Sequence, residues 1–159
     1  MKRKMVKKQV RNWLDTTKSA KAGDLKIAFA TDGDFAYIES ENKVLIGDYA
    51  TREQHRNFLD LCKELGIKDD WKPETLAFLH ELGHYHTHGD FTAEQEKEDN
   101  DIREMLYKMM ESNDAATITT AYNLYYVLLD QEVAATKWAV EFANKHPKAT
   151  KKLENALHK

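Results

Sequence analysis

Leu79-His80-Glu81-Leu82-Gly83-His84-Tyr85-His86-Thr87-His88-Gly89-Asp90 is the stretch on which the reading of this chain turns. Pro73 ahead of it suits a first helical turn and Gly89 suits a helix end, so the punctuation predicts a helix from about Pro73 to His88. On that helix a four-residue step brings His80 and His84 onto one face about one turn apart, where both imidazoles reach one metal ion. Glu81 is rotated ~100° from His80. It stands beside such an ion rather than on it, placed to take a proton from metal-activated water. Gly83 costs a helix interior about 1 kcal/mol against alanine, which predicts another backbone packed close at that point.

A catalytic zinc site takes three protein ligands and leaves one position open. Four residues compete for the third place. His88 continues the i, i+4 series, but its Cα lies ~12 Å along the axis from that of His80, poor geometry for one ion. His86 faces another way. Asp90 would complete a compact His-His-Asp site, although that pattern carries glycine where Thr87 stands. Glu132 lies in Asp130-Gln131-Glu132-Val133-Ala134-Ala135-Thr136-Lys137-Trp138-Ala139, where small residues three and seven positions on let its helix press against the helix of His80.

Working outward, Val6, Val10, Trp13 and Leu14 form an apolar stripe on a helix over 2–18, with its lysines toward water and its stripe docked on its own domain. Leu25, Ile27 and Phe29 alternate with smaller or polar residues and read as a strand, followed by an Asp32-Gly33 turn, a strand over 35–39, a Glu41-Asn42 turn and a strand over 43–46. The expectation is one antiparallel three-strand meander. Thr51-Arg52-Glu53-Gln54 reads as a capping box opening a helix that ends at Gly66, and Thr92-Ala93-Glu94-Gln95 as another leading to Met105, Leu106, Met109 and Met110. A last long helix is expected from about 119 to 145, stopped by His146-Pro147. The fold class is therefore α+β, mostly helical, with one small antiparallel sheet near the N-terminal third. The expected organisation is a basic amphipathic helix over 1–22 and a metal-site domain over 23–159.

With 159 residues, 42% hydrophobic and 32% charged, the chain can bury a core without disulfides. Cys62 has no cysteine partner and reads as a buried, inert thiol beside Phe58 and Leu65. No apolar run approaches the ~20 residues of a membrane span. No apolar stretch follows the basic N-terminus, and a cytoplasmic location is the expectation. The net charge of -3 is uneven. Eight Lys and Arg in 1–22 face only Asp15, whereas 89–114 is strongly acidic. Both blocks read as solvated helix faces, with nucleic-acid contact through the basic helix ranked below protein docking.

His80-Glu81-Leu82-Gly83-His84, a preceding short β-hairpin and the later Glu132-x-x-Ala135-x-x-Trp138-Ala139 helix resemble the ImmA/IrrE-type zinc metallopeptidases of the gluzincin group, over roughly residues 25–146. The resemblance implies a zincin-like fold and one Zn2+ per chain held by His80, His84 and Glu132, with Glu81 as the general base. The implied substrate is a protein or peptide, laid along an edge strand of the 35–46 hairpin. Tyr122, Tyr125, Tyr126, His86 and His88 are the candidates to stabilise the developing oxyanion. The family usually carries aspartate after the motif alanine, where this chain has Thr136, and the acidic helix from Thr92 to Glu111 lies in an unusually long gap between the two motifs. A second reading keeps the metal site but acts by protein binding, as a regulatory protein with little or no proteolysis.

Overall fold

The computed structural model describes residues 2–31, 33–47 and 56–158. It is mostly helical. The elements in chain order are α1 (Lys2–Thr16), β1 (Lys26–Phe29), β2 (Ala36–Ile38), β3 (Lys43–Ile46), α2 (Arg56–Glu64), α3 (Pro73–Thr87), α4 (Ala93–Met110), α5 (Ala115–Leu128), α6 (Asp130–Lys145) and α7 (Pro147–Leu157). No helix among the described residues is long and apolar enough to cross a membrane. The capping box expected at Thr51–Gln54 lies outside the described residues, as does Asp32 of the expected turn.

The stripe Val6, Val10, Trp13 and Leu14 is buried, as its spacing requires. Trp13 meets Phe78 of α3 and Phe142 of α6 edge-on, with ring centroids 6.3 and 6.0 Å apart, and its indole N–H donates to the Ala149 carbonyl at 2.8 Å. Such edge-to-face contacts add to the burial of the rings themselves. Arg11 donates to the carbonyls of Gly23 and Leu25, which ties α1 to the start of β1.

The sheet differs from the expected antiparallel meander. Its order is β1-β3-β2, with β1 parallel to β3 and β2 antiparallel to it. β1 and β2 are not neighbours, and β2 lies on the far side of the central position from β1. β3 takes that position with Val44 and Ile46 buried, which leaves β1 and β2 as the two edges. A central strand is the place where backbone pairs on both sides and apolar side chains are best covered.

α3 is the buried axis of the molecule. From Pro73 to Gly83 only Glu81 escapes full burial, a pattern for a helix surrounded by protein rather than one lying on a surface. Its first turn has no side-chain cap from Lys72. Instead Glu154 of α7 accepts the Lys72 N–H at 2.8 Å and approaches the Thr75 hydroxyl at 3.4 Å, placing a carboxylate at the positive end of the helix dipole. α6 ends at Lys145, ahead of His146-Pro147 as expected, but it is not the last helix, since Pro147 also occupies the first turn of α7.

The single long helix expected from about 119 to 145 is two. Leu129 is extended and fully buried, and the chain restarts as α6 at Asp130. The break is held by Asp99 of α4, whose carboxylate accepts the Asp130 and Gln131 N–H groups at 3.0 and 2.8 Å. A carboxylate from a distant helix thus supplies the cap that Leu129 lacks.

Burial alone would raise the Glu154 carboxyl pKa, but hydrogen bonds from Lys151 and the Lys72 N–H and the nearby lysine charges bring it below the usual value. Its stabilising effect is therefore complete above the ordinary glutamate pKa of ~4.3 and fades as pH falls through the depressed value. Glu154→Gln is expected to cost about 1–2 kcal/mol at neutral pH. The gap between wild type and variant in urea unfolding should narrow in acid.

Candidate metal centre

Two helices build the site, and a missing side chain lets them meet. A Cβ placed on Gly83 would lie 2.9 Å from the Ala135 Cα and 3.0 Å from its carbonyl carbon, closer than real Cβ contacts come. α6 turns Ala135, Ala139 and Ala143 inward, all fully buried. The backbones of α3 and α6 therefore touch, and Glu132 is carried over the face of α3 that holds His80 and His84.

Among the described residues, the His80, His84 and Glu132 donor atoms form a group lying within 4.8 Å of one another that can hold a metal ion. Glu132 Oε2 is 2.8 Å from His80 Nε2 and 3.1 Å from His84 Nε2, and the two Nε2 atoms are 3.1 Å apart. Donors on a tetrahedral zinc with bonds near 2.1 Å lie ~3.4 Å from one another, so a few tenths of an ångström of opening would seat an ion. His80 and Glu132 are buried and His84 is half-buried.

Thr136 determines what these atoms present. Its hydroxyl donates to the Glu132 carbonyl at 2.9 Å, so toward His80 Nδ1, 3.0 Å away, it can only accept. That arrangement favours the His80 tautomer with its proton on Nδ1, which leaves Nε2 free to bind an ion. Two imidazole nitrogens and a carboxylate oxygen this close repel one another unless a proton or a cation lies among them. The three donors together could hold a metal ion.

Burial raises the Glu132 pKa, but the His84 charge and the close approach of both imidazoles outweigh it and hold the carboxyl well below its usual range. Burial likewise lowers the His84 pKa, and Glu132 more than reverses that. Glu81 is raised by desolvation, with the Glu132 charge adding to it and the two histidines and the Tyr37 backbone opposing.

Glu81 is outside the donor cluster and lines a cleft of about 400 Å³ together with both histidines and Glu132. The edge strand β2 supplies Ala36 and Tyr37 to one wall, and Tyr125, Tyr126 and Arg103 stand on the other. Tyr126 packs edge-on against the His80 ring, whereas Tyr122 is largely exposed and does not line the cleft. Of the remaining candidates, His88 also lines the cleft, whereas His86 and Asp90 do not. His86 stacks on Trp138 with centroids 4.6 Å apart and meets the Ala20 carbonyl at 2.5 Å. His88 Nδ1 turns back to the Tyr85 carbonyl at 2.8 Å, and Asp90 is exposed. Cys62 is buried, and desolvation pushes its thiol pKa up to about 12, as for an inert core residue.

Arg103 and Asp99 are the residues of this site that sequence reasoning did not single out. Both sit in the acidic stretch read as a solvated face, yet Asp99 is buried and the Arg103 side chain is only 20% exposed. Their spacing at i, i+4 was the available signal.

Comparison with protein families, with characterised proteins and with solved structures finds no match to this chain.

Gly83→Ala should force α3 and α6 apart, because the obstruction is backbone and cannot rotate away. A loss of about 1–3 kcal/mol in denaturant unfolding is expected. A variant as stable as wild type would show that the two helices tolerate a wider spacing.

Proposed function

We propose that this chain is a zinc-dependent metallopeptidase in which His80, His84 and Glu132 hold the metal and Glu81 is the general base. The observation that carries the reading is the convergence of three electron-pair donors in a set whose His80 tautomer is favoured by Thr136. A zinc ion among them supplies Lewis acidity toward a peptide carbonyl and lowers the pKa of water toward ~7. Glu81, beside the donors and open to the cleft, receives the proton of the attacking water on its carboxylate and returns it to the leaving amine. Within the sheet β2 pairs with β3 alone and its Tyr37 backbone also meets Glu81, so its outer edge borders the cleft and can take the backbone of an extended peptide. Tyr125 and Tyr126, which line the cleft, are hydroxyls available to a developing oxyanion. The helix-dominated architecture, with a sheet edge over the metal helix, supports the zincin-like, ImmA/IrrE-type assignment that the sequence resemblance implies.

The test is metal content together with peptide cleavage. Wild-type protein should carry about one zinc per chain, and His84→Ala and Glu132→Ala should lose it. Glu81→Gln should keep the metal while cleavage of a mixed peptide library falls by about 10²–10⁴-fold. A wild-type chain that takes up no zinc would overturn the proposal. Metal retained with no cleavage even in wild type would favour the regulatory, binding-only reading.

A further inference from the structure

α4 reads as a charged helix facing water, and most of its length is exposed. Two of its residues, one turn apart, point inward to the beginning of α6. Asp99 is 2% exposed and accepts both the Asp130 and Gln131 N–H groups, which fixes the first turn of the helix from which Glu132 projects. Arg103 is held in place by Asn100 Oδ1 at 2.9 Å, by Gln131 Oε1 at 3.4 Å and by the Tyr125 hydroxyl. Its guanidinium stands 4.0 Å from Glu132 Oε1, the carboxylate oxygen that does not face the histidines.

The two oxygens of Glu132 are thus assigned to different partners. Oε2 meets both imidazoles, and Oε1 meets a fixed positive charge. A carboxylate free on both oxygens can swing to bind an ion through either or both. One with a fixed guanidinium 4.0 Å from one oxygen is biased to present the other.

We infer that Asp99 and Arg103 act together as a clamp that positions Glu132, so that the acidic helix is a working part of the metal centre and Glu132 offers only Oε2 to the ion. The inference rests on the reading that His80, His84 and Glu132 hold a metal. Asp99 sets where the helix begins, and Arg103 sets which oxygen is offered. Neither touches the metal or the substrate backbone, and both are positioning residues. Partners of this kind behind a metal ligand commonly contribute ten- to a hundredfold in affinity.

The experiment is titration of the metal-free protein with Co2+, reading affinity by chelator competition and ligand geometry from the visible d–d bands. Wild type should bind one Co2+, and His84→Ala should bind none. Arg103→Met should weaken binding about 10–100-fold and alter the d–d bands as Oε1 becomes free to coordinate. Arg103→Lys, which restores the charge without the fork, should recover part of the affinity. Asp99→Asn should weaken binding in the same direction. Melting curves of the metal-free variants separate a lost fold from a lost clamp, and Arg103→Gln carries the same comparison if Arg103→Met does not fold. Wild-type affinity and an unchanged spectrum in the Arg103 variant would overturn the clamp while leaving the metal site standing. Absence of Co2+ binding in wild type would overturn the metal reading, and the clamp with it.

Discussion

The backbone contact between Gly83 and Ala135 is the constraint around which the other elements are arranged. Helices usually pack with axes 8–10 Å apart, held off by their side chains. Removing the side chain on α3 and reducing it to methyl groups on α6 brings the two axes nearer, and short-reaching donors on both helices can then meet. The rest of the molecule braces this pair. Trp13 of α1 lies across both helices through Phe78 and Phe142, Glu154 of α7 secures the start of α3, and Asp99 of α4 secures the start of α6. Glu132 and His80 are buried, so their approach cannot be softened by water. An ångström of drift between the helices would leave a buried carboxylate without partners, at a cost of several kcal/mol.

The tautomer of His80 comes from the same geometry. A carboxylate behind a histidine accepts the Nδ1 proton and also makes the ring more basic. A hydroxyl does the first without adding charge, provided its own hydrogen is committed elsewhere. In this chain the commitment is local, since Thr136 bonds the carbonyl one turn back along α6, at Glu132. The residue that orients His80 is thus anchored to the residue that opposes it, and the two respond together to any shift of α6.

Much of this was legible where the signal was local. The stripe from Val6 to Leu14, the glycine at 83 and the capping box at Thr92 depend on neighbours within a turn or two of chain, and each appears in the structure in the form its spacing predicted. The strand order was not legible, because alternation in Lys43–Ile46 marks a strand without saying which strands flank it. The break at Leu129 was hidden for a related reason. Tyr122 to Val133 has helical character throughout, and what interrupts it is a carboxylate some thirty residues earlier. Arg103 was concealed by its surroundings, since a helix rich in acids invites the conclusion that all its charges face water. For the donor cluster, local spacing marked His80 and His84, while Glu132 competed with His86, His88 and Asp90 and was preferred only through the resemblance of its motif to a known family.

His84 and Glu132 are separated by 48 positions. Bringing such distant points together costs chain entropy that grows with the length of flexible loop to be closed. Between them, however, α4 and α5 make a small apolar cluster of their own around Leu106, Ala121 and Leu129, with Tyr107 stacked on Tyr125. A helical hairpin of this kind can form from contacts near in sequence, well before the long-range ones. Once formed, it replaces most of the intervening chain with a compact body whose two ends already lie close. The same hairpin carries Asp99 to the start of α6. The interposed helices thus shorten the effective search by which the two halves of the centre find each other, because contacts near in sequence bring the distant ones within reach.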